Sequence, residues 1–189
     1  MPHYFSETNF SNRTYDADEL NFHEFEECTF FDCNFSSCNF IAMVFIDCRF
    51  TNCSFNEAKI GHTAFRSVHF EHCKIKDVNF AMAEKFIFEV HFSNCILDFS
   101  KFYALKMNSS SFADCSLVAA DFMAADLTGL QFYKCDLYRA EFSKAVANKS
   151  DFSTSYNYTI DPEATKIKKA MFNKIEAKGL LYKHEVIIT

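Results

Sequence analysis

The sequence predicts an elongated β-coil that turns a corner every five residues, and three observations carry that expectation. Large apolar residues recur with a period of five. Small residues occupy a second position two before each of them. Glycine and proline, which number 3 and 2 in 189 residues, are too few for an ordinary many-turned β protein. A period of five fits neither an amphipathic helix nor a plain strand. It fits a coil in which one large side chain per side points inward.

The first register runs from Phe5 and Phe10 in steps of five to Phe80. A slip of two residues follows, and the series resumes at Ile87 and Phe92 and continues to Phe152. These 30 positions hold 19 of the 25 phenylalanines, and only Ala147 among them is small. The position two before each large residue also points inward if the backbone is strand-like. All nine cysteines fall there: Cys28, Cys33, Cys38, Cys48, Cys53, Cys73, Cys95, Cys115 and Cys135. Ala58, Thr63, Val68, Val78, Ala120 and Ala140 share the slot, so cysteine reads as a small buried filler. Zinc ligands would show pairs two to four residues apart, which these spacings do not. Disulfides fit poorly with an odd count in a reducing compartment.

Fives such as "CNFSS", "CSFNE", "ADFMA" and "CDLYR" resemble those of pentapeptide-repeat proteins, over about residues 5–155. The resemblance implies an all-β solenoid, a right-handed quadrilateral parallel β-helix with four fives per coil. Residues 20 apart then stack, and thirty fives give about seven to eight coils, roughly 36 Å long. If the slip adds two residues without skipping a side, Cys33, Cys53, Cys73, Cys95, Cys115 and Cys135 form one column. The expected organisation is a β-helix over 1–172, with the slip at 81–90 and an irregular corner at 157–165, then a C-terminal cap over 173–189. Within that cap "NKIEAKGLLYK" (173–183) reads as a short helix. Asn173 is its N-cap, Glu176 holds the capping-box position, and a terminal strand follows at 186–188. Leu180, Leu181, Val186, Ile187 and Ile188 are the capping and dimer-forming residues; the ending resembles the terminus through which quinolone-resistance members pair tail to tail.

Phe86 and Phe88 lie off the regular inward positions and are expected to be partly exposed. With Glu84 and Glu89 they form a candidate partner contact, since interrupting loops matter for target engagement in some quinolone-resistance relatives. No glycine-rich phosphate loop or nucleophile elbow is present, and His69 and His72 read as solvated. An enzyme, a metal and a cofactor are therefore not expected. The opening "MPHYFSETNF" has neither the basic segment nor the apolar run of a signal peptide, and no stretch is long enough for a membrane helix. A cytoplasmic protein is expected.

Net charge is −6, which does not favour direct nucleic-acid binding. Residues 1–57 carry ten acids against Arg13 and Arg49, residues 58–160 are neutral, and residues 161–189 are +2. The candidate acids for a partner are Asp16, Asp18, Glu19, Glu24, Glu26 and Glu27. The resemblance implies a DNA-shaped protein that occupies the basic saddle of a type II topoisomerase, DNA gyrase or topoisomerase IV, and protects it from quinolones. Two alternatives stand beside it: an interaction scaffold with another target, and immunity towards a topoisomerase-poisoning peptide toxin. Confinement of the acids to the N-terminal end departs from the DNA-mimic pattern.

Overall fold

The computed structural model describes residues 3–186 as a four-sided parallel β-solenoid. Its strands are short, mostly three residues, because each side must end in a corner: Tyr4–Ser6, Asn9–Ser11, Glu24–Glu26 and Thr29–Phe31 open the chain. Each pairs with the strand 20 residues later, as in Tyr4↔Glu24 and Phe25↔Phe45. Side one carries Phe5, Phe25, Phe45 and Phe65, and side two Phe10, Phe30, Phe50 and Phe70. Tyr15 and Phe35 begin side three, and Leu20 and Phe40 begin side four.

The inward residues stack by aromatic type. On side two Phe10, Phe30, Phe50, Phe70, Phe92, Phe112, Phe132, Phe152 and Phe172 form one continuous column, with centroid spacings from 4.6 to 5.4 Å. Phe172 therefore belongs to the coil, and the column has nine tiers, slightly more than the coil count expected. Rings on different sides meet edge to face, as Phe25 and Phe30 do at 5.3 Å. Both arrangements suit the aromatic quadrupole, and such a pair is worth roughly 0.5–1.5 kcal/mol beyond burial.

Corners are made without glycine. The residue two after each inward one adopts positive φ: Glu27 (52°), Ser37 (60°), Ala104 (52°) and Lys149 (61°) are examples, and Gly129 (75°) is the one glycine there. At many corners a turn closes with an i→i+3 bond, as Cys38 N–H donates to Phe35 C=O at 3.1 Å. The left-handed residue also donates its own N–H to the next tier: Glu27 N–H reaches Ile46 C=O at 2.9 Å. The inter-tier bond holds the strained conformation.

The slip behaves as expected in one respect and not in another. Phe70↔Phe92 and Lys74↔Ile96 are paired, so two residues are added with no side skipped. The inward residue on side one, however, is Phe88, which pairs with Phe65 and is buried. Ile87, expected inward, is 43% exposed, and Phe86 is 88% exposed. The register shift falls between Phe65 and Val68, inside the eight-residue strand Ala64–Glu71, so the extra residues are absorbed before Phe88. A phenylalanine fills the tube there better than the isoleucine beside it.

The irregular corner is present. Tyr158 and Ile160 turn inward, both 1% exposed, and Thr165 fills the small slot before the coil resumes at Lys166. The C-terminal segment is not one helix but two 3₁₀ turns, Glu176–Leu180 and Tyr182–His184. Asn173 does cap: its Oδ1 accepts from Glu176 N–H at 2.7 Å. Glu176 does not reach back to complete the box; its Oε2 accepts from Asn157 N–H at 3.0 Å, tying the segment to the coil instead. Gly179 lies on Tyr158 so closely that a Cβ would stand 2.0 Å from the Tyr158 carbonyl oxygen. That approach leaves no room for the wider path of a regular α-helix with side chains on all faces. Ile187 and Ile188, and with them the predicted terminal strand, lie outside the described residues.

Candidate functional site

The cysteine slot is a hydrogen-bonding position as well as a small one. Cys33, Cys48, Cys53 and Cys73 donate to the carbonyls of Phe10, Phe25, Phe30 and Phe50, each 23 residues earlier, at 3.4–3.8 Å. Where the slot holds a hydroxyl the bond shortens: Ser100, Ser150 and Ser155 reach Ile75, Leu127 and Phe132 at 2.6 Å. The slot thus selects small side chains that carry a donor, which satisfies a buried carbonyl. The signal was visible in the shared occupancy by cysteine, serine and threonine.

All nine thiols are free and buried. Burial pushes Cys48 up to about 12. Contact with the Cys53 sulfur, with burial, pushes Cys73 up to about 12. For Cys95 the Cys115 sulfur acts downward, but Cys73 and burial outweigh it and leave the pKa at about 12. Cys115 behaves alike between Cys135 and Cys95, at about 12. These thiols stay protonated at neutral pH, which makes them poor nucleophiles and poor ligands. Among the described residues no three His, Cys, Asp or Glu side chains are placed to hold a metal ion.

The N-terminal acids face solvent. Asp16, Asp18, Glu19, Glu24 and Glu27 are exposed, and Glu26 is half-buried, accepting from the Tyr4 hydroxyl. They do not form one patch: Glu24, Glu26 and Glu27 sit on side one and its corner, whereas Asp16, Asp18 and Glu19 sit around sides three and four. At the bulge Phe86 stands out, and Glu84 folds back so that its carboxylate accepts from Phe86 N–H. Glu89 lies 3.5 Å from His91. Phe88 is removed from the candidate contact because its ring packs inside the tube against Phe65 and Phe80. His69 is also not simply solvated: its ring stacks on His91 at 4.7 Å, and burial followed by His91 lowers its pKa.

At the C-terminal end Leu180 packs on the core, while Leu181, Tyr182 and Val186 are exposed. Lys183 latches the segment to the irregular corner, 3.1 Å from Asp161 and 2.8 Å from Glu163. Among the described residues no helix is long and apolar enough to cross a membrane.

Comparison with known proteins matches these features. A sequence-family profile described as "Pentapeptide repeats (8 copies)" covers residues 33–71, and another described as "Pentapeptide repeat region" covers residues 85–159. Together they span well over half of the chain. No match to a curated protein sequence is found. Among solved structures, a trypsin-treated variant of QnrB1, a plasmid-mediated fluoroquinolone resistance protein, is similar with a TM-score of 0.75 at 15% identity, over 97% of this chain and 99% of that one. A second trypsin-treated variant of the same protein gives 0.56 at 14% identity, over 99% and 100%. HetL from the cyanobacterium Nostoc sp., a pentapeptide repeat protein involved in heterocyst differentiation regulation, gives 0.48 at 13%, over 90% and 85%.

Proposed function

Because this chain belongs to the pentapeptide-repeat family, we propose that it is a non-enzymatic binding protein whose partner is a type II topoisomerase, DNA gyrase or topoisomerase IV, and that it protects that partner from quinolones. The observation that carries the reading is the rod itself with its acidic N-terminal tiers: an elongated surface bearing Asp16, Asp18, Glu19, Glu24 and Glu27 toward solvent. Opposite charge would guide it to a basic DNA-binding saddle, so binding weakens as salt rises. Phe86 and Glu84 at the bulge are proposed as a second contact. The exposed Leu181 and Val186 support pairing of two copies through the C-terminal segment.

A second reading, a scaffold for another target, is favoured by the charge of residues 58–160, where eleven acids balance eleven bases. A gyrase supercoiling assay with and without a quinolone, repeated at increasing salt, separates the two. Protection that fades with salt supports the topoisomerase reading. Neither protection nor inhibition at micromolar protein leaves the scaffold, and protection against a peptide poison alone makes the chain an immunity protein.

A further inference from the structure

One long edge of the rod is ordered by charge. The corner between sides one and two repeats every 20 residues, and its left-handed residues are Glu7, Glu27 and Asp47 at the N-terminal end, and Gly129, Lys149 and Lys169 at the other. Inter-tier bonds define the column: Glu7 N–H to Glu26 C=O, Glu27 to Ile46, Asp47 to Arg66, Gly129 to Asn148 and Lys149 to Lys168. None of the five charged corner residues is in an ion pair among the described residues. The adjoining outward positions of side one repeat the pattern, with Glu24 and Glu26 near one end and Lys166 and Lys168 at the other. Between them Arg66, Lys85, Glu89, Lys106 and Asp126 mix the signs. At the middle tier, set by Phe88, stand Phe86 (88% exposed) and Ile87 (43% exposed).

We propose that two copies of this chain pair side by side and antiparallel along this edge. A two-fold axis through the fifth of nine tiers carries the first tier onto the ninth and the second onto the eighth. Glu7 then faces Lys169 of the second copy and Glu27 faces Lys149, twice over, while the two Phe86 rings meet near the axis. An edge acidic at one end, apolar at the centre and basic at the other is complementary to itself in this orientation, as an isologous contact requires. A parallel arrangement would oppose acid to acid. End-to-end stacking is disfavoured because the C-terminal segment covers the coil there. Nine tiers at about 4.8 Å and a side of at most about 16 Å give roughly 600 Å² per copy. That is about 1,200 Å² in total, the low end for a specific interface, so the contact is weak and dependent on charge. It is separate from the C-terminal pairing and independent of the topoisomerase reading.

Sedimentation of the full chain at low and high salt tests this. Apolar pairing through the C-terminus survives salt, whereas the edge contact produces a further doubling of mass at low salt that high salt removes. Lys149→Glu with Lys169→Glu, and separately Glu7→Lys with Glu27→Lys, should each abolish the salt-sensitive step. An equimolar mixture of the two double variants should restore it as a heterologous pair, and adding Phe86→Asp to both should weaken the restored pair at least tenfold. Unchanged circular dichroism melting shows that the variants fold. The proposal is overturned if low salt adds no mass, if the charge variants associate like the parent chain, or if the mixture fails to restore pairing.

Discussion

The two halves of the rod fill the same square tube in different ways. Before the slip, aromatic rings come from all four sides: Phe50 touches Phe30 and Phe70 above and below, and Phe35, Phe45 and Phe55 around it. After the slip, rings come from sides two and four only; Phe112 meets Phe92 and Phe132 in its own column and Phe102 and Phe122 across the tube. Leu117, Leu127 and Leu137 fill the other two sides, and alanines replace many cysteines in the slot. The difference teaches that the tube constrains summed volume, not residue identity: four rings with thiols, or two rings with branched aliphatics and smaller slots, reach the same closure.

The largest effect expected from this comparison is shared by the halves. The folded thiols of Cys48, Cys73, Cys95 and Cys115 titrate near 12, above the ordinary value of 9.0. A raised folded pKa favours the protonated state, so this stability is fully present below pH 9 and is lost as pH climbs towards 12. Each thiol that ionises only on unfolding removes about 1.4 kcal/mol per pH unit. Denaturant melts from pH 7 to 11 should show a plateau and then a steep fall. Hydrogen exchange should show both halves falling together, because Cys73 and Cys95 join one column across the slip. A fall confined to one half would separate them.

Single substitutions should sharpen the contrast. Phe50→Ala, which removes a ring with five aromatic neighbours, should cost about 3–5 kcal/mol, and Leu117→Ala, on a side without rings, about 2–4 kcal/mol. Equal costs would mean that the aromatic network adds nothing beyond volume. Gly179→Ala should cost about 1–3 kcal/mol as the new methyl forces the C-terminal segment off Tyr158, with loss of protection concentrated after residue 157. The smallest effects belong to corners. Ala119→Gly should stabilise, and Gly129→Ala should destabilise, by about 1 kcal/mol or less, because both positions have positive φ.

The tube was legible in the sequence because its period matches no other regular structure and each inward residue is large. The two-residue slip was legible for the same reason. Which of Ile87 and Phe88 turns inward was not, since spacing alone set the register and the shift inside Ala64–Glu71 adjusts it. The corners were illegible as left-handed positions because inter-tier bonds, not glycine, hold them. At the C-terminus Asn173 announced the cap, but the backbone contact at Gly179, which selects tight turns, leaves no trace in periodicity. The exposure of the N-terminal acids followed from their phase. Their separation onto different sides also lay in the 20-residue stacking, but summing charge by segment conceals what summing by column displays.

Because neighbours lie 20 residues apart, the rod's outer decoration obeys a modular arithmetic. Excising one whole turn would shorten the protein by a single storey and leave every later charge above its old column. Excising one five would still pack, yet it would swing everything downstream through a right angle and place lysines where no glutamate of a twin could meet them. Length and facing are thus separately adjustable in this architecture, the first in twenties and the second in fives.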